Sequence, residues 1–201
     1  DMADGGAASN DDTAIVIGMG DMGTLGIYDA EGGLSTELGY GIGALGVGQD
    51  YAHTMTRIGL GSDVSADPHV AYTTPAGLIP FGVSVSVGYA PNTTDGQGNS
   101  FKSSGGIQAT DVDGTNATQY KVTIAPDMVP GLTVGADYFE ASGVIGASQQ
   151  APESGAYYLT YAAGPAVIGY SESFYAAAMD NITTEQVEKI ENKKYSIGFN
   201  V

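Results

Sequence analysis

The 201 residues carry 23 acidic side chains against six basic ones, a formal net charge of -17 at pH 7, with 31 Gly, 13 Tyr and neither Cys nor Trp. That sign sets aside nucleic acid as a partner, because affinity for phosphate comes from Lys and Arg. The lack of Cys removes thiolate nucleophiles, disulfides and Cys-ligated metal centres. With only 14% of residues charged and Ala, Val, Ile, Tyr and Gly abundant, strands and turns are favoured over helices, so the expected class is all-β.

Strict alternation of apolar with small or polar residues marks the expected strands in chain order. Thr13 to Met19 places Ile15, Ile17 and Met19 on one parity, and Thr24 to Asp29 places Leu25 and Ile27 there. His69 to Thr74 adds Val70 and Tyr72. Phe81 to Tyr89 is the clearest: Phe81, Val83, Val85, Val87 and Tyr89 oppose Gly82, Ser84, Ser86 and Gly88. Tyr120, Val122 and Ile124 then oppose Gln119, Lys121 and Thr123, and Leu132, Val134, Ala136 and Tyr138 oppose Thr133, Gly135 and Asp137. Tyr157, Leu159 and Tyr161 come next, then Ile168 and Tyr170, and last Tyr195, Ile197, Phe199 and Val201 against Lys194, Ser196, Gly198 and Asn200. These are nine strand candidates. One short helix is expected over Thr183 to Lys194, where Thr183 and Gln186 are spaced as a capping box and Glu185 and Lys189 stand at i, i+4.

Between the candidates, short and long connections alternate without exception. "GDMG" is followed by Glu31 to Asp67, "PAGLIP" by Asn92 to Ala117, "PDMVPG" by Ser142 to Ser154, and "AGP" by Tyr175 to Lys193. In an up-and-down antiparallel sheet this puts every tight turn at one end and every long loop at the other. A soluble meander has no reason for that rule, whereas outer-membrane barrels have short turns on one side and long loops on the other. No apolar run approaches the roughly 20 residues of a transmembrane helix, but a barrel strand needs only about 9 to 11. The odd face of Phe81 to Tyr89 would then lie against lipid, with Phe81 and Tyr89 as girdle aromatics at the two headgroup levels and Val83, Val85 and Val87 between them. The small or polar parity, with Ser84, Ser86, Lys121, Asp137 and Lys194, would face a wet lumen.

"DDTAIVIGMGDMGTLGIYDAEGG" and "VAYTTPAGLIPFGVSVSVGYAP", with the later "YYLTYAAGPAVIGYS" and "KYSIGFNV", resemble the Gram-negative general porins, particularly those of alphaproteobacteria. The resemblance extends over nearly the whole chain and rests on pattern and short "GxxG" turns. It implies a transmembrane antiparallel up-and-down β-barrel of 16 strands in the bacterial outer membrane, assembled as a homotrimer and passing small polar solutes and ions. Nine strands are too few for an aqueous channel of that kind. Residues 1–201 are therefore expected to be one partial barrel domain, an internal portion of such a barrel.

The resemblance also casts residues 31–67 as the constriction loop, with Glu31, Glu37, Asp50, Asp63 and Asp67 against Arg57. Carboxylates at a narrow point attract cations, so a cation-selective pore is expected. "GIGALG", Gly41 to Gly46, matches a dinucleotide fingerprint in letters but lacks the strand, helix and βαβ unit that give it meaning. "DVDGTN" offers Asp111 and Asp113 as a weak calcium pair, and otherwise no cofactor is expected. His53 and His69 have no Cys nearby and no nucleophile elbow accompanies them, so no enzyme is expected. The alternative is a secreted or surface-layer β-protein that binds calcium or a partner through acidic loops.

Overall fold

The computed structural model describes residues 13–29, 34, 68–91, 116–142, 153–176 and 190–199. Nine strands form one antiparallel sheet: β1 (Thr13–Gly18), β2 (Thr24–Asp29), β3 (His69–Thr73), β4 (Val83–Ala90), β5 (Asn116–Ile124), β6 (Leu132–Ser142), β7 (Glu153–Ala163), β8 (Ala166–Ala176) and β9 (Ile190–Phe199). Their order in space is their order in the chain, with every pair antiparallel. Among the described residues the sheet is not closed: β1 and β9 are its two edges. Because direction alternates from strand to strand, these two edges run the same way.

All nine alternating segments are strands, but their ends differ from expectation. β7 starts at Glu153, ahead of the alternation that begins at Tyr157, and β8 continues past Tyr170 through Ser171, Glu172 and Ser173 to Ala176. Their ladder is continuous from Glu153 opposite Ala176 to Ala163 opposite Ala166. Phe81 is not part of β4. It lies in a tight turn with φ 64°, followed by Gly82 at φ 67°, and the strand begins at Val83. A left-handed backbone is uncommon for a bulky residue.

The expected helix over Thr183 to Lys194 is overturned in its second half, since Ile190 to Lys194 belong to β9. Ile190 stands opposite Tyr175, Lys193 opposite Glu172 and Lys194 opposite Ser171. The ladder satisfies their backbone groups and the Lys193–Glu172 ion pair adds a cross-strand contact, against helix pairs worth only about 0.2 to 0.5 kcal/mol. Residues 183–189 lie outside the described part.

The short turns repeat one device. Gly23, Gly82 and Gly131 all have positive φ, and a β-carbon on them would collide with the carbonyl oxygens of Thr73, Ala125 and Ala162, respectively. Each turn thus rests on the backbone of the next strand pair. The Ala125 and Ala162 amides donate to the Gly82 and Gly131 carbonyls at 3.1 and 2.9 Å, and the Tyr72 hydroxyl donates to the Met22 carbonyl at 2.9 Å.

Candidate functional site

The register sorts every side chain to one of two faces, and the faces differ in the opposite sense to a soluble sheet. One face carries Ile15, Ile27, Val70, Tyr89, Val85, Tyr120, Leu159, Ile168 and Ile197. It is the exposed one, with Tyr195 75%, Ile197 65% and Phe199 63% open. The other face carries His69, Ser86, Gln119, Asp137, Ser154, Ser171 and Ser173, and all of these are buried. Apolar side chains outside and polar ones inside invert the usual hydrophobic arrangement.

On the buried face Ser84 and Ser86 lie in consecutive positions of β4, and Ser86 stands opposite Lys121, itself opposite Asp137. Ser86 is hydrogen-bonded to the Thr73 hydroxyl at 2.8 Å. The backbone of Lys194 falls in the row of Ser171. Near the long-loop end this face is apolar instead. Leu34 is buried in a cluster with Ala90, Ala117 and Phe139. Leu34 follows β2 by only a few residues, yet its partners belong to β4, β5 and β6 on the small and polar face. Phe139 was missed in the sequence, although it is the one large apolar residue on the polar parity of β6, beside Tyr138 of the opposite face.

Glu31, Glu37, Asp50, Arg57, Asp63 and Asp67 lie outside the described residues, as do Asp111 and Asp113. Among the described residues no group of three or more His, Asp or Glu could hold a metal ion. Phe81 is exposed at the turns, while Val83, Val85 and Val87 are half-buried on the apolar face beside exposed Tyr89.

A line of tyrosines bounds the apolar face on its long-loop side, and it crosses the hydrogen-bond rows obliquely. Tyr89 pairs with Thr118, two residues before Tyr120; Tyr120 pairs with Tyr138; Tyr138 pairs with Gly155, two residues before Tyr157. Tyr157 pairs with Glu172, two residues beyond Tyr170, and Tyr170 pairs with Tyr195. From β4 to β9 the line moves six residues toward the turns over five strand intervals. With about 3.3 Å per residue and about 4.8 Å between strands, its slope is about 40° to those rows.

The turns recede with the same slope. The row of Gly18 and Thr24 runs through Ser86 and Asp137 to Ala156, and the β7–β8 turn lies seven residues past it, beyond Ala163. Seven residues over six intervals again give about 40°. Tyrosine line and turn line are therefore parallel and enclose an apolar band that crosses β4 to β9 at one angle. Beyond the tyrosines the same face becomes charged, with Asp29, Glu140, Glu153, Glu172, Glu191 and Lys193. Glu172 forms an ion pair with Lys193 at 2.9 Å and accepts a hydrogen bond from the Tyr170 hydroxyl, and Tyr138 donates to Glu153 at 2.9 Å.

No family model, curated protein or solved structure matches the chain.

Proposed function

We propose that the chain forms part of the wall of an outer-membrane diffusion channel of the porin type, passing small polar solutes and ions without performing chemistry. The observation that carries this reading is the oblique apolar band. A flat hydrocarbon layer imposes two parallel planes of polarity change on whatever crosses it. Strands tilted by about 35 to 45° must then show boundaries inclined to their hydrogen-bond rows by the same angle. The slope of about 40° on both sides of the band falls in that range. Val83 to Tyr89 rise about 15 Å at that tilt, and exposed Leu78, Phe81, Met128 and Val129 at the turns extend the band toward the roughly 25 Å of a lipid-facing wall.

The inverted faces support the same reading, since polar side chains on the sheltered face suit a wet lumen. Leu34 supports a loop folded over that face, where the acids of residues 31–67 would narrow the pore and favour cations. A homotrimer in the outer membrane is the assembly proposed with it. Two edge strands of like direction cannot pair antiparallel with each other, and in lipid every strand edge must be paired. That favours a wall completed by further strands over one closed by a parallel seam between β1 and β9.

Reconstitution into planar bilayers tests the reading. Stepwise, ohmic conductance is expected on adding the complete barrel-forming protein from detergent. A chain that stays monomeric and soluble without detergent and produces no conductance would overturn it, and would favour a secreted β-protein with acidic loops.

A further inference from the structure

The sheltered face carries tyrosines as well as hydroxyls, and two of them lie over glycines. A β-carbon on Gly26 would collide with the ring of Tyr28, which stacks on His69 with ring centres 5.1 Å apart. A β-carbon on Gly135 would stand 2.6 Å from Cζ and 2.8 Å from the hydroxyl oxygen of Tyr158, the residue directly opposite on β7. Thr123 pairs with Gly135 from the other side, and its side chain is hydrogen-bonded to the Tyr158 hydroxyl. The ring therefore crosses β6 from β7 to β5, with Gly135 buried beneath it and Tyr158 itself half-buried.

A glycine inside a strand weakens it, since it loses more freedom on folding and offers nothing to pack. Gly135 serves no turn or bulge: the ladder runs through it unbroken on both sides, and its φ is not positive. What requires glycine at this position is the room for the ring. Side chains on a strand otherwise stand roughly perpendicular to the sheet, so a tyrosine without such a recess projects from the wall. We propose that Gly135 is a recess that lays the Tyr158 ring against the wall, and that this pair sets the free width of the lumen at its level. The proposal rests on the channel reading and deepens it by naming residues that control the size of passing solutes. Carbon atoms in contact lie about 3.5 to 4.0 Å apart, so in Gly135→Ala the ring has to lift off the sheet by about 1 Å or turn into another rotamer. Either move narrows the lumen.

Single-channel recordings of the complete barrel-forming protein test it. Gly135→Ala is expected to lose conductance per channel, and combining it with Tyr158→Ala is expected to restore the wild-type value, because the displaced ring is the obstacle. A general distortion of the sheet would not be repaired by removing a second side chain. Unchanged conductance in Gly135→Ala, or a loss that persists in the double variant, would overturn the proposal. Fluorine NMR of fluorotyrosine-labelled protein in detergent reads the ring itself, with the Tyr158 signal assigned by its loss in Tyr158→Phe. In Gly135→Ala that signal should shift and broaden more under a water-soluble gadolinium chelate; a signal that stays in place would also overturn the proposal. The two readings fail separately. A conducting wild type with an indifferent Gly135→Ala defeats the recess alone. A displaced ring with no conductance from any variant defeats the channel, and the lumen width with it, and leaves only the packing of Tyr158 on Gly135.

Discussion

Val85 and Ser84 are neighbours on β4, yet they belong to surfaces of opposite character, Val85 in the apolar row with Val122 and Ala136, Ser84 in the row with Thr123 and Gly135. In the proposed channel Val85 meets lipid. Val85→Arg is expected to destabilise the protein in lipid vesicles by about 2 to 4 kcal/mol, read from urea unfolding, as for a charge near the bilayer midplane. A variant that unfolds like the wild type would show that Val85 does not face hydrocarbon. Phe81 illustrates a conflict resolved at the same scale. Its positive φ would suit Gly or Asn, but its ring is exposed at the turn end of the apolar band, where an aromatic is useful at a membrane surface.

At the scale of elements, the turns and the Leu34 contact hold the sheet in its stagger. Gly131 combines φ 87° with close approach to the Ala162 backbone, so Gly131→Ala meets both a strained conformation and a collision. A loss of about 1 to 3 kcal/mol is expected on thermal or urea unfolding. An unchanged midpoint would mean that the turn is not locked to β7. Phe139, fully buried against Leu34, Ala90 and Ala117, should cost about 3 to 5 kcal/mol when truncated to Ala. In single-channel recordings of the proposed channel the same Phe139→Ala variant should also show larger or noisier conductance, because Leu34 loses its partner on the polar face. Stability loss with unaltered conductance would separate this packing from the pore.

The whole molecule makes two further commitments. Polarised infrared spectroscopy of oriented membranes should find the strands inclined about 40° to the membrane normal, the angle at which the tyrosine and turn lines cross the ladder. Strands lying near 0° or 90° would refute the band as a bilayer imprint. Under a salt gradient the reversal potential should favour cations, and joint replacement of Glu31, Glu37 and Asp50 by amides should weaken that preference. Salt should weaken it as well, since the Debye length shortens from about 30 Å at 0.01 M to about 3 Å at 1 M. Anion preference in the intact channel would remove the charge argument, while the pore reading, which rests on the apolar band, would stand.

Alternation along Thr24 to Asp29 or Leu132 to Tyr138 was enough to place strands and assign residues to one parity or the other, because the pleat has a period of two whatever lies around it. The run Thr183 to Lys194 misled in its second half for the converse reason. Its spacing suits a helix locally, and only the partner strand β8 draws Ile190 to Lys194 into the ladder. Which parity is exposed was a choice between two mirror readings until the sheet formed, since alternation alone does not say which side is sheltered. The slant of the tyrosine line, the turn-to-turn contacts, the Glu172–Lys193 pair and the arrival of Leu34 at Phe139 belong wholly to the tertiary structure. They depend on register between strands, and register is set by pairing across space, which no single segment contains.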